Sequence, residues 1–490
     1  MMANLPAMVS LKHFLVLSLA LNVSLILRMV YEGDQQGSNN NNNKMEGYNR
    51  IIGKSRLAIS SITSFANSTR KDRSGIMDKV INLDHLFAYF GRERIAISSA
   101  SREGGLMLNA YVARFCALLP ALLPGRDRDN GDPTMYEQFW RQMGDKTTII
   151  IPGWQSMSYF SDPTSICWFL EPEFAKEVVR LHNVVGNAVT QGRHIVVGTG
   201  SSQLILAALY ALSSHDSDKP ISVVSAVPYY SSYPSMTDYQ KSGLYKWGGD
   251  AESFDKDEPY IELVTSPNNP DGYIRKSIVN RNQGLLVHDL AYYWPQYTPI
   301  SSATDYDLTL FTVSKSTGHA GMRIGWALVK DREVAKKMTK FIELNTIGVS
   351  KDSQLRAAKV LKTVSDCEEE KSENGVESFF KYSYRMMEQR WKLLREAVDS
   401  GDLFSLPKFS SAFCTFLNQE SETQPAFAWL KCEGDIEDCE SFLRGHKILT
   451  RGGKQFGASS KYVRISMLDT NDNFMHLIDR LSTIQTKQQQ

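Results

Sequence analysis

Cysteine is scarce in this chain of 490 residues: there are six, Cys116, Cys167, Cys367, Cys414, Cys432 and Cys439. None forms a Cys-x-x-Cys pair, so the usual zinc spacings are excluded and no metal site is expected. Such sparse thiols fit a reducing compartment, although Cys432 and Cys439 could pair in an oxidising one. A surplus of charge of either sign is also lacking. Lys and Arg number 55 against 54 Asp and Glu, a net charge of +1, which argues against a nucleic-acid partner. No internal repeat is visible.

One apolar run, Phe14–Leu27, stands out, with Lys12 and His13 before it and Arg28 after. Extended from Val9 to Val30 it is just long enough to cross a bilayer. A cleaved signal peptide is the other reading. No small-x-small cleavage site precedes the stretch beginning at Glu32, so a single-pass N-terminal membrane anchor is expected over residues 1–31. Residues 32–76 include five consecutive asparagines, Asn39 to Asn43, and read as a disordered polar linker. Asn67-Ser68-Thr69 fits the glycosylation acceptor pattern.

Beyond the linker the chain is long enough for two domains. Short apolar runs at His194–Gly198, Ile221–Val227, Tyr260–Thr265, Gly284–His288, Leu308–Val313 and Gly325–Val329 read as strands. Between the first two, Gln203–Leu212 has helical periodicity. Buried strands alternating with helices and polar turns predict an α/β sheet covered on both faces, with ligands at the carboxyl ends of its strands. From about Val349 the texture changes. Long helical patterns at Asp352–Val364 and Glu377–Val398 precede short strands at Phe413–Phe416, Ala426–Leu430 and Tyr462–Ser466, predicting a smaller α+β domain. Residues 86–130 fit neither pattern and form an atypical interruption without a clear period.

The candidate chemistry lies at the predicted strand ends. Gly198-Thr-Gly-Ser-Ser-Gln203 joins a strand to a helix. Its glycines permit a tight turn, and a helix start offers free N–H groups to an anion. A plain serine N-cap is the alternative. Pro228-Tyr229-Tyr230 offers a ring to stack on a flat heterocycle, or simply to pack. Pro267-Asn-Asn269-Pro-Asp-Gly272 is a strong turn signal in which Asn269 can also donate to a ligand oxygen. Asp289 follows the apolar strand Leu285–His288. A carboxylate at a buried strand end needs a partner, and a protonated pyridine nitrogen would serve. Tyr292 follows three residues later. Last comes Phe311-Thr312-Val-Ser314-Lys315-Ser-Thr-Gly, with Arg323 eight positions beyond the lysine. An amine framed by hydroxyls and an arginine suits pyridoxal 5'-phosphate (PLP): the lysine condenses with its aldehyde, while hydroxyls and guanidinium hold its phosphate.

Taken in order, the series resembles the fold-type-I PLP-dependent aminotransferases, and within them the plant tryptophan aminotransferase-related proteins, relatives of alliinase. The resemblance is carried by Gly131–Glu137, Met157–Asp162, Cys167–Pro172, Val196–Leu204, Leu263–Gly272, His288–Pro295 and the Lys315 window. It runs from about Ile81 to Leu481 apart from residues 86–130. It implies a large domain with a mostly parallel seven-stranded sheet over residues 186–345, preceded by a catalytic N-terminal part at 77–185, and a small domain at 346–485. It also implies a homodimer, and an L-tryptophan aminotransferase that passes the amino group to a 2-oxo acid, pyruvate, to yield indole-3-pyruvate for auxin biosynthesis. A membrane-bound member of the endoplasmic reticulum is implied by the N-terminus.

The resemblance assigns roles residue by residue. Lys315 would be catalytic. Ser201, Ser202, Gln203, Thr312, Ser314 and Arg323 would surround the phosphate. Asp289 would hold the ring nitrogen, Asn269 and Tyr292 the ring oxygen, and Tyr230 would stack. Tyr136 would reach the phosphate of the neighbouring subunit. Arg464, within Tyr462–Ser466, would grip the substrate carboxylate; read without the resemblance it is an ordinary surface arginine. Two other functions fit the same letters: an alliinase-type carbon–sulfur lyase, and a non-catalytic membrane-tethered scaffold. Relatives join the pieces flanking residues 86–130 directly, so this segment reads as retained non-coding sequence or a surface insertion.

Overall fold

Runs of valine, leucine, isoleucine and aromatic residues too short for helices build the central sheet. The computed structural model describes residues 131–213, 219–369 and 377–488. The expected anchor, the linker, Asn67–Thr69, Cys116 and the interruption 86–130 lie outside the described residues. Among the described residues no helix is long and apolar enough to cross a membrane. All of them fall in one compact unit, Cys116–Gln490.

Seven strands, β1 (His194–Gly198), β2 (Ile221–Ser225), β3 (Tyr245–Asp250), β4 (Tyr260–Thr265), β5 (Gly284–Asp289), β6 (Leu308–Thr312) and β7 (Gly325–Val329), form one sheet in the order β1-β7-β6-β5-β4-β2-β3. Only β7 runs against its neighbours, antiparallel to both β1 and β6; the other pairings are parallel. Strands β4, β6 and β7 are buried along their whole length, which is why their sequences are continuous apolar runs rather than alternating ones. The exception, Glu262 in β4, is stabilised by accepting the Ile278 and Val279 backbone N–H groups at 2.7 and 3.3 Å, while burial raises its pKa. Strand β3 is polar and partly exposed because it closes one edge of the sheet.

Helices cover the sheet. Gly200–Leu212 packs on Arg332–Thr346, whose start is capped by the Asp331 carboxylate accepting from the Glu333 and Val334 N–H groups. Pro172–Val185 packs on Lys351–Glu369. The remaining chain builds a four-stranded antiparallel sheet, ordered β12-β13-β11-β8, from β8 (Phe404–Ser405), β11 (Phe427–Cys432), β12 (Arg451–Gly452) and β13 (Tyr462–Ser466). A hairpin of β9 (Ser411–Cys414) and β10 (Gln419–Glu422) stands beside it. Cys432 and Cys439 form a disulfide with a Cα–Cα distance of 5.5 Å, joining the end of β11 to the helix Cys439–Gly445.

Candidate active site

The parallel strands deliver their carboxyl ends to one cavity of about 350 Å³. Ser201 and Ser202 reach it from the turn after β1, Tyr230 from beyond β2, Thr265 and Asn269 from β4, Asp289 and Tyr292 from β5, and Thr312, Ser314 and Lys315 from β6. Arg323 enters from the turn before β7. A larger hollow of about 600 Å³ shares Asp132 and Ala320 with it but contains neither Lys315 nor Asp289, so the chemistry belongs to the smaller cavity.

Lys315 stands on a short helical turn, Val313–Ser316, capped by the Thr312 hydroxyl, which accepts the Ser314 N–H. Its carbonyl accepts from the Tyr297 hydroxyl at 3.2 Å and the Gln296 amide at 3.3 Å, which braces the backbone beneath the amine. The amine donates to the Gly131 carbonyl at 2.6 Å and lies 5.8 and 5.9 Å from the ring centres of Tyr292 and Phe427. Desolvation, together with the positive charges of Arg464 and Arg323 and against the pull of Asp132, pushes its pKa down to about 7. A lysine so perturbed is half neutral at physiological pH and can act as nucleophile and base.

Asp289 ends β5 in a buried position. Its carboxylate accepts from the Tyr233 hydroxyl at 3.0 Å and the Ala291 N–H at 3.2 Å. Burial raises its pKa, and these two donors oppose the rise. Asn269 donates weakly to the Tyr292 hydroxyl, at 3.5 Å, and its carbonyl accepts from Arg464 at 2.8 Å. The neighbouring Asn268 holds the turn instead, donating to the Pro228 carbonyl and to Asp271. The Tyr230 ring packs edge-on against Tyr233 with centroids 5.3 Å apart.

Opposite these groups is a cradle for an anion. The helix Gly200–Leu212 begins here, and its first N–H groups are without helical partners. The Ser201, Ser202, Thr312 and Ser314 side chains and Arg323 line the same end. Arg323 adopts a left-handed backbone (φ 54°), donates to the Ala320 carbonyl at 2.9 Å and lies 3.4 Å from the Ser314 hydroxyl. Gly200 has φ +74° and any Cβ there would collide with the Arg323 guanidinium, so glycine is required for this approach. The donor set therefore fits PLP: an amine for its aldehyde, a buried carboxylate for its ring nitrogen, and hydroxyls, amides and a guanidinium for its phosphate.

Three expected residues stand apart from the cavity. The Gln203 side chain turns away: it accepts the Thr199 N–H at 2.7 Å and donates to Asn345 and Thr346, tying one helix to another rather than reaching for a phosphate. Tyr136 does not line this cavity; it is buried, 3.2 Å from the Tyr297 hydroxyl and edge-on to Phe379. Burial pushes its hydroxyl up to about 12. Arg464 is not an ordinary surface arginine. It is 1% exposed, 4.0 Å from the Phe427 ring centre, and bonded to Asn269 at the cavity's edge. The sequence reading missed Tyr233, Thr265, Phe427 and Gly131. Gly131 and Thr265 lie within the motifs Gly131–Glu137 and Leu263–Gly272, and Tyr233 follows Tyr230 by three positions; Phe427 carried no such signal.

Residues 126–485 match the family described as Allinase. The chain is 52% identical over 485 residues to tryptophan aminotransferase-related protein 2 of Arabidopsis thaliana, covering 98% of this chain and 99% of that one. It is 36% identical over 362 residues to alliin lyase of Allium cepa var. aggregatum, covering 72% of this chain and 80% of the lyase. In fold it is similar to the aspartate aminotransferase of Rhizobium meliloti (TM-score 0.54, 18% identity, covering 77% of this chain and 95% of that enzyme).

Proposed function

The chain belongs to the alliinase family of PLP-dependent, fold-type-I enzymes, and from that premise we propose that it is an L-tryptophan aminotransferase with pyruvate as amino acceptor. The observation that carries the reading is the convergence in one cavity of the Lys315 amine, the buried Asp289 carboxylate and the Ser201–Ser202–Arg323 cradle. The 52% identity to a tryptophan aminotransferase-related protein supports tryptophan as the amino donor.

PLP, when bound, supplies an aldehyde for an amino group and a protonated ring that accepts the electron pair left when an α-carbon loses its proton. Lys315 is the amine that would hold that aldehyde and, once displaced by substrate, would carry the proton away from the substrate α-carbon. Asp289 would set its negative charge against the ring nitrogen. Asn269 and Tyr292 would bind the ring oxygen, and Tyr230 would stack on the ring. Ser201, Ser202, Thr312, Ser314 and Arg323 would hold the phosphate. Arg464, already bonded to Asn269, receives the substrate carboxylate, for which its planar charged fork is suited. Phe427 packs near both cations, its ring centre 5.9 Å from the Lys315 amine and 4.0 Å from the Arg464 guanidinium. The protein works as a homodimer, and residues 9–30 anchor it in the endoplasmic-reticulum membrane. Alkaline carbonate should leave the full chain with the membrane fraction; release into the supernatant would refute the anchor.

The activity is tested by giving the PLP-loaded protein tryptophan with pyruvate, and separately an alkyl-cysteine sulfoxide. Indole-3-pyruvate and alanine in the first reaction support the proposal. Pyruvate released only from the sulfoxide would make the chain a carbon–sulfur lyase, the reading that its identity to alliin lyase supports. No turnover in either reaction and no visible band from lysine-bound cofactor would leave a scaffold.

A further inference from the structure

Asp289 is held from behind. Tyr233, at the start of the helix Tyr233–Tyr239, is 1% exposed, and its hydroxyl lies 3.0 Å from Asp289 Oδ2 and 2.6 Å from Thr265 Oγ1. Thr265 and Asp289 are the last residues of β4 and β5 and face each other in the sheet register. The direction of the chain of bonds follows from the chemistry. An ionised carboxylate only accepts, so the phenol proton goes to Asp289. The Thr265 hydroxyl must then donate to the phenol oxygen. Each bond polarises the next, and burial makes both stronger than they would be in water.

Burial works against this carboxylate, and the Tyr233 hydroxyl is the largest influence opposing it. Burial and the adjacent Asp289 charge also raise the Tyr233 hydroxyl well above its ordinary range, so the phenol stays a donor over any working pH. The second carboxylate oxygen is fixed by the Ala291 N–H. With both oxygens held on the protein side, the Asp289 side chain has one orientation in the cavity.

We propose that Tyr233, backed by Thr265, is a positioning residue that keeps the Asp289 carboxylate ionised and aimed into the cavity. The inference rests on the reading of Asp289 as the counter-charge to the cofactor ring. It adds a residue that touches no reactant and acts through the carboxylate alone. Phenylalanine at 233 preserves the edge-on contact with Tyr230 and removes only the hydroxyl, so packing and hydrogen bonding can be separated.

The test is a double-mutant cycle on the full chain: Tyr233→Phe, Asp289→Asn and the pair, read by PLP dissociation constant, the absorption spectrum of the bound cofactor, and kcat and KM for the amino acid. Tyr233→Phe is expected to weaken PLP binding and lower kcat by roughly tenfold each, with KM little changed. In the Asp289→Asn background the same change is expected to add less than about twofold, because the route through the carboxylate is already lost. Equal effects of Tyr233→Phe in both backgrounds would overturn the inference. So would a large effect of Asp289→Asn with none from Tyr233→Phe, while the reading of Asp289 would stand. An Asp289→Asn protein with unchanged affinity and spectrum would instead remove the reading on which the inference rests. Should Tyr233→Phe not fold, Thr265→Val removes the outer donor; a several-fold loss of PLP affinity that vanishes with Asp289→Asn supports the inference, and an unchanged affinity overturns it.

Discussion

Replacing Lys315 with methionine is expected to stabilise the cofactor-free protein at neutral pH while abolishing turnover. Methionine keeps an unbranched chain of similar length and removes the charge. In the folded protein the amine titrates at about 7 instead of its ordinary 10.5. A depressed lysine carries a penalty that is full below the folded pKa and fades as pH rises to the unfolded one, since over that window only the unfolded chain holds the extra proton. At 1.36 kcal/mol per unit, the penalty is about 4 kcal/mol near pH 7 and about 2 kcal/mol at pH 9. Losing the bond to the Gly131 carbonyl offsets roughly 1 kcal/mol of the gain. The Lys315→Met protein should therefore be more stable by about 3 kcal/mol at pH 7, with the advantage disappearing as pH approaches 10. Urea unfolding of both cofactor-free proteins across pH 7 to about 10 measures it. A variant no more stable than the parent at pH 7, or a difference that does not change with pH, would refute the reasoning.

Two further substitutions probe the electrostatics and the cradle. Arg464 and Lys315 both lie near the Phe427 ring, at 4.0 and 5.9 Å from its centre, and so are no more than about 10 Å apart. Arg464→Met should raise the lysine pKa by about one unit, since two unit charges at that distance interact by roughly 1.7 kcal/mol at an effective dielectric of about 20. The pH dependence of aldehyde capture by the cofactor-free protein reads this shift, and an unmoved inflection would contradict it. Gly200→Ala forces a side chain into a left-handed position and onto the Arg323 guanidinium. It should destabilise the fold by about 1–2 kcal/mol and weaken PLP far more than phosphate-free pyridoxal; equal losses for the two ligands would show that the cradle does not hold the phosphate.

Strands buried on both faces were the most legible part of the chain. Tyr260–Thr265, Gly325–Val329 and Tyr462–Ser466 form over the residues their apolar runs predict. Strand β3 escaped notice because an edge strand of Tyr-Lys-Trp-Gly-Gly-Asp carries no such pattern. The helix Gly200–Leu212 begins three residues before its periodic part, since its first turn of glycine and serines faces the cavity rather than the core. The Cys432–Cys439 bond was only one of two possibilities until the fold set their Cα atoms 5.5 Å apart.

The sequence by itself determined which groups could do chemistry: a lysine after a strand, an aspartate at a buried strand end, a glycine–serine turn before a helix. Each depends on neighbours a few positions away, so composition and spacing carry it. The tertiary structure decided which groups meet. Lys315 finds the Gly131 carbonyl 184 positions away, and Arg464 finds Asn269 across 195. Gln203 sits in a phosphate-like motif yet spends its amide on Asn345 and Thr346, because those side chains are packed against it. The Lys315 amine is pushed down to about 7 by burial, by Arg464 from the far end of the chain and by the nearby Arg323, and no local sequence pattern encodes the burial or the Arg464 charge.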